Sequence, residues 1–145
     1  MAMSQIEVRM CTVQKLHRLL EKQIFAVPQL QREFVWNGRK STNLLDSMHR
    51  QVPIGTILLW KTDPERRNLL RESVRILPPY ERNNDEIWFL IDGQQRLSVI
   101  YQAFRGETKV NFWGSEIDFR KMCFAVSPYK DEEDTSNVNV LRNVT

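Results

Sequence analysis

The sequence predicts an α+β or mixed α/β fold with a small mixed β-sheet flanked by helices. Three observations carry this. Two short runs, Ile54–Lys61 and Ile87–Ile91, are rich in β-branched and aromatic residues and have the length of strands. Segments with apolar residues at helical spacing lie before, between and after them. The 145 residues suffice for one domain with one core and are short for two.

Each element has a local reason. Over residues 12–23, Val13, Leu16, Leu20 and Ile24 mark one helical face, Leu19 widens it, and Lys15, Arg18 and Lys22 stay outside. Phe25 to Trp36 reads as an extended, ordered loop, because Pro28 breaks helix and Gln29, Gln31, Arg32 and Glu33 interrupt the apolar residues. Asn37-Gly38 marks a turn. A second helix from Ser41 or Thr42 to about Arg50 turns Leu44, Leu45 and Met48 inward, and Pro53 stops it. The strand Ile54–Lys61 has Gly55 near its start. Asp63-Pro64 opens a short helix to about Glu72, with proline at the first helical position. Pro78-Pro79 and Asn83-Asn84 bound a loop. The strand Ile87–Ile91 leads to a helix from about Gln94 to Phe104, which Gly106 ends. Ile117 to Val126 reads as a strand, or as a hairpin turning at Gly114-Ser115. From Ser127 the chain is polar and acidic, so residues 1–130 form the domain and 131–145 a tail or a truncated continuation.

Hydrophobic residues make up 41% of the chain and charged residues 27%, a globular composition. The net charge is +3. Residues 131–145 carry Asp131, Glu132, Glu133 and Asp134 against Arg142 alone, which leaves the body of the chain at +6. A basic body suits nucleic acid or nucleotide partners. Cys11 and Cys123 have no companion at metal-ligand or redox spacing and read as reduced thiols of a cytoplasmic protein. No signal peptide and no membrane-spanning run is visible.

The chemistry concentrates in Asp92-Gly93-Gln94-Gln95-Arg96, between the apolar strand and the helix. An acid, a glycine, two amides and an arginine at a strand-to-helix junction suit a phosphate and a metal ion, since the first N–H groups of a helix face an anion. Asp92 can hold Mg²⁺ beside a phosphate. With Gln95 three residues on, it also fits a capping box, and the two readings coexist. Gly93 permits close backbone approach or a turn with positive φ. Gln94 and Gln95 can bond a base or a ribose, or position a water, or simply be exposed at a helix start. Arg96 offers bidentate contacts to phosphate, against a structural salt bridge.

Three blocks in order resemble a known family. They are Phe25-Ala26-Val27-Pro28-Gln29-Leu30-Gln31-Arg32-Glu33-Phe34-Val35-Trp36, then Leu44-Leu45-Asp46-Ser47 with Val52-Pro53-Ile54-Gly55-Thr56-Ile57-Leu58-Leu59-Trp60, then Asp92-Gly93-Gln94-Gln95-Arg96-Leu97. Over about residues 12–126 the chain is similar to the N-terminal domain of GmrSD-type, modification-dependent restriction endonucleases and related phage-defence proteins. The resemblance implies a ParB/sulfiredoxin-like fold. It also implies nucleotide binding and NTP hydrolysis at the Asp-Gly-Gln-Gln-Arg motif, coupled to DNA cleavage or sensing by a second nuclease domain. Cofactors would be Mg²⁺ and a nucleoside triphosphate, and partners would be DNA and a nuclease domain or subunit.

On this pattern Asp92, Gln94, Gln95 and Arg96 are the catalytic candidates, with Asp92 as the metal ligand. Gln31, Arg32, Gly55, Thr56 and Gly93 would bind the nucleotide, with Arg32 and Arg96 converging on one anion. Trp36, Arg66 and Arg67 are the candidates for DNA, by stacking and phosphate contact, against a solvated helix face for the arginines. Arg71 and Arg75 extend that basic patch. Trp60 and Trp88, beside aliphatic residues in strands, read as core. The chain departs from the family pattern at Leu30, where a tyrosine is expected. Its two histidines, His17 and His49, lie in predicted helices without the Asn/Asp setting of an HNH nuclease, so no nuclease site is expected in this chain. The alternative reading is a non-enzymatic module that binds modified DNA or docks a nuclease subunit.

Overall fold

The computed structural model describes residues 6–70, 77–106, 109–112, 115–123 and 142–143. Thr12 starts the first helix, α1 (Val13–Glu21), by accepting a hydrogen bond from the Lys15 N–H. The chain then enters strand β1 (Phe25–Ala26), inside the segment expected to be all loop. Asn37-Gly38 is a helix start rather than a turn. The Asn37 side chain accepts from the Lys40 N–H, so α2 runs from Gly38 to His49 and begins a turn earlier than its apolar face shows.

Strand β2 (Leu58–Thr62) is shorter than expected, because residues 52–57 are held as a loop. Asp63-Pro64 does open a helix, but it is a 3₁₀ helix, η1 (Pro64–Leu69). Strand β3 (Ile87–Asp92) and α3 (Gln94–Arg105) follow, and α3 ends at Gly106 with φ +64°, as its glycine foretells. A hairpin, β4 (Lys109–Phe112) with β5 (Ser115–Asp118), leads through a short 3₁₀ turn, η2 (Phe119–Lys121), to β6 (Met122–Cys123). Strand β7 (Arg142–Asn143) pairs antiparallel with β6, so part of the segment read as a tail returns to the fold. Trp113, Gly114, Arg71, Arg75, residues 124–126 and the acids 131–134 lie outside the described residues.

The fold is α+β, built on a three-stranded mixed sheet of order β1-β3-β2. β1 runs parallel to β3 and β2 antiparallel to it, with a register irregularity between Leu58 and Leu59. Helix α3 is the centre of packing. Its Leu97 and Tyr101 meet the sheet through Leu90, Phe25 and Val27, joined by Leu20 of α1 and by Leu77. Its Val99 and Ile100 meet Phe34, Leu44, Leu45, Ile117 and Phe119. The opposite sheet face carries Ala26, Ile87 and Phe89 beneath Leu70 and Tyr80. Burial of leucine- and phenylalanine-sized side chains contributes about 1.5–3 kcal/mol each, so the α3 face and β3 together fix the junction between them.

Two tryptophans expected in the core divide. Trp88 is half-buried against the α3 side. Trp60 is 42% exposed, because β2 is an edge strand; it rests on Phe89 with Arg66 over its ring. Among the described residues no helix is long and apolar enough to cross a membrane.

Asp118 anchors the turn after the hairpin. Its carboxylate accepts from the Arg120 backbone N–H at 3.2 Å and from the Arg120 guanidinium at 2.7 Å through both oxygens. Those side-chain bonds hold its pKa down at about 2. A carboxylate depressed in the folded state stabilises fully above its unfolded value, about pH 4, and loses that contribution as pH falls to about 2. Asp118→Asn should therefore flatten the fall in melting temperature across this window, measured by circular dichroism. Equal slopes for the two proteins would contradict the assignment.

Candidate functional site at the β3–α3 junction

The strand β3 ends at Asp92, and the chain turns into α3 through Gly93 in the left-handed region, φ +92°. A Cβ at Gly93 would lie 3.0 Å from Ile57 Cγ1, so the position needs glycine for both backbone and space. No side chain caps the start of α3. The capping box expected from Asp92 and Gln95 does not form, because both side chains are drawn elsewhere.

Asp92 Oδ2 accepts from Arg96 Nη2 at 2.9 Å, one turn along the helix. Gln95 instead makes a two-point clasp on the loop before α2. Its Nε2 donates to the Glu33 carbonyl at 3.0 Å, and its Oε1 accepts from the Val35 N–H at 2.8 Å. A second amide holds the same loop: Gln31 Nε2 donates to the Ile91 carbonyl at 2.7 Å. Gln29 fixes the loop's other side to η1, donating to the Asn68 and Leu70 carbonyls. Residues 29–35 are thus tied to the end of β3, the start of α3 and the end of η1.

Arg96 ties down the other loop. Its Nη1 donates to the Ile54 carbonyl at 2.8 Å. The guanidinium lies flush on Gly55, whose φ is +86°, and a Cβ there would collide with Nη1. It also borders Gly93, where a Cβ would lie 3.4 Å from Nη2. Two glycines therefore make the slot that the guanidinium fills. Sequence spacing alone gives no sign of the Ile54 carbonyl as its partner, 42 residues away.

The exposures separate the roles. The Asp92 side chain is 69% exposed and that of Arg96 only 18%. A pair with one partner so open contributes little to stability, about 0–1 kcal/mol. Asp92 is open to solvent beyond its bond to Arg96, while Arg96 is enclosed and has used two of its five donors on partners among the described residues. Gln94 is buried, and its Oε1 has no hydrogen-bond partner among the described residues. Thr56 is exposed beside Gly55.

The expected site residues fall into groups. Gln31, Gly55, Asp92, Gly93, Gln95 and Arg96 are joined at the junction by the contacts above. Arg32 is exposed and makes no hydrogen bond or ion pair among the described residues, so no contact supports its convergence with Arg96. Trp36 packs half-buried against the Phe34–Leu44 cluster on the helical side of the sheet. Arg66 lies over Trp60 on the opposite face, 5.2 Å from its ring centre, and Arg67 donates to the Asn84 carbonyl at 2.9 Å. These three DNA candidates do not share one surface. His17 stacks on Tyr101 at 5.5 Å, and His49 is exposed near the end of α2.

A cation at Asp92 would meet one carboxylate. Among the described residues no three His, Cys, Asp or Glu side chains gather. Such a site suits Mg²⁺ held by one acid together with substrate phosphates and water, and not a cage built by protein alone.

The slot around Arg96 can be tested directly. Gly55→Ala should destabilise the protein by about 1–3 kcal/mol through its left-handed backbone and the collision with the guanidinium. In an Arg96→Ala background the collision is absent, and urea denaturation should show a smaller cost. The same cost in both backgrounds would contradict the packing.

A sequence profile described as the GmrSD restriction endonuclease, N-terminal domain, matches residues 16–144. No curated protein matches the chain. The profile spans the junction, both loops clasped to it and the core that carries them, and the chain belongs to the family of GmrSD restriction endonuclease N-terminal domains.

Proposed function

We propose that this restriction-system domain binds a nucleoside triphosphate at the β3–α3 junction and hydrolyses it with Mg²⁺. The observation that carries the reading is the coincidence, at one strand end, of an exposed carboxylate, an uncapped helix start and a guanidinium with donors to spare. The first N–H groups of α3 have no partner within the helix and face a phosphate favourably. Asp92 is the residue to hold Mg²⁺. When bound, the ion offsets phosphate charge.

Arg96 contributes positive charge and bidentate geometry to the same phosphates from a fixed position. Its fixation against Ile54 and Gly55 matters, because preorganised charge needs no rearrangement as the reaction proceeds. The amide of Gln95 is committed to the Glu33–Val35 backbone, so its role is to place the loop. Gln94 retains an acceptor oxygen without a protein donor, and an amide there orients a water rather than taking its proton. Gly55 and Thr56 on one side and Gln31 and Arg32 on the other would border the nucleotide. Turnover would regulate a nuclease domain or subunit acting on DNA in the cytoplasm.

The second reading, a module that binds modified DNA or docks a nuclease without turnover, draws on the +6 body and the exposed Arg66 and Arg67. Leu30, where the family pattern places tyrosine, is 99% exposed and offers no ring for stacking. Salt-dependent DNA affinity without phosphate release would favour this second reading.

Asp92→Asn separates the two. Asp92 is exposed and its ion pair is weak, so the variant should keep its melting temperature. Its phosphate release should fall by roughly 100-fold or more, as for loss of a group that stabilises transition-state charge. Unchanged turnover would rule out the proposed chemistry.

A further inference from the structure

The segment before α1 lies in no helix or strand, has the residue alternation of a strand, and has nothing to pair with among the described residues. Residues 6–10 read Ile-Glu-Val-Arg-Met, a strict alternation of apolar and charged side chains. Arg9 binds Glu7 through two bonds, Nε to Oε1 at 2.7 Å and Nη2 to Oε2 at 2.8 Å. Side chains two apart meet in this way on an extended chain and not on a helix. One side of the segment is therefore charged. The other presents Ile6, Val8 and Met10, which are 90%, 88% and 98% exposed.

The sheet has a matching edge. β2 is its terminal strand, and among the described residues no strand pairs with its outer side. Ile57 and Leu59 belong to the helical side of the sheet, and Lys61 lies over Trp88 there and donates to Glu86 Oε1 at 2.6 Å. Leu58, Trp60 and Thr62 therefore share the other side, where Leu58 is 53% and Trp60 42% exposed. An open edge with an apolar row is a template for another strand.

We infer that residues 6–10 add to the β2 edge of a second copy of this chain, antiparallel, with Val8 across from Trp60. Charge selects this register. It sets Met10 against Leu58, Ile6 against Thr62 and Glu7 against Lys61. A parallel strand centred on the same pair would set Arg9 against Lys61, and like charges directly opposite are destabilising. An antiparallel slip by two residues gives the same Arg9–Lys61 clash in one direction. In the other direction it carries Met10 past the end of β2.

The donor is assigned to a second copy because within one chain the segment, joined directly to Thr12 at the start of α1, stays exposed and makes no pairing with its own β2 among the described residues. Reciprocal exchange closes a two-fold dimer in which each copy gives one strand and receives one, so both apolar rows are covered at once. This inference is independent of the nucleotide reading.

The test is the solution mass of the intact chain by sedimentation velocity over a micromolar concentration series. The wild-type chain should show twice its 17.3 kDa, and Val8→Asp, at an exposed position, should show the single-chain mass with an unchanged circular dichroism spectrum. Lys61→Glu should weaken the dimer on the order of tenfold, and adding Glu7→Lys should restore it. A wild-type chain that stays monomeric, a dimer indifferent to Val8→Asp, or a Lys61→Glu defect that Glu7→Lys leaves unrepaired would each overturn the inference. So would a monomer whose segment binds only an added nuclease chain.

Discussion

The guanidinium of Arg96 is the contact on which the site depends. It fills a slot between Gly55 and Gly93, takes the Ile54 carbonyl with one nitrogen and Asp92 with the other, and is largely enclosed. Two separate pieces of chain meet there: the loop before β2 and the turn that joins the end of β3 to α3. The two glycines are the cost of that meeting, since each adopts a left-handed backbone that other residues resist. A residue that reads in the sequence as a phosphate ligand is thus also a brace, and the two roles fit together. A charge held in place by its neighbours is better prepared to meet an anion than one on a free side chain.

The loop from Pro28 to Trp36 shows a second use of polar groups for order. It has little strand or helix to hold it, yet Gln95 of α3 bonds its backbone, and its own Gln29 and Gln31 side chains donate to carbonyls at the ends of η1 and β3. Backbone groups outside regular structure need partners, and side-chain amides supply both a donor and an acceptor. The result is a fixed wall beside Asp92 in a stretch that composition marks only as irregular.

Much of the fold was legible because it is local. The apolar spacing of α1, the run of β3, the face of α3 and Gly106 at its end follow from periodicity and punctuation. What escaped was long-range. The start of β2 moved to Leu58 because Arg96 holds Ile54 in a loop, a contact spanning 42 residues. Trp60 looked like core by its neighbours and is half-open because its strand lies at the edge, which only the strand order reveals. Asp92 and Gln95 matched a capping box, yet Gln95 was captured by a loop about sixty residues distant in sequence. The motif was readable as a cluster of chemistry, while the division of labour within it was set by partners that spacing cannot name.

The proposed nucleotide site at the β3–α3 junction can be located by spectroscopy. The most direct measurement is a titration of the isotope-labelled chain with a nucleoside triphosphate and Mg²⁺, followed through its backbone amide resonances. The largest shifts should fall at Gly93, Gln94, Gln95, Arg96 and Gly55. Shifts centred on another surface, or none at saturating nucleotide, would contradict that placement.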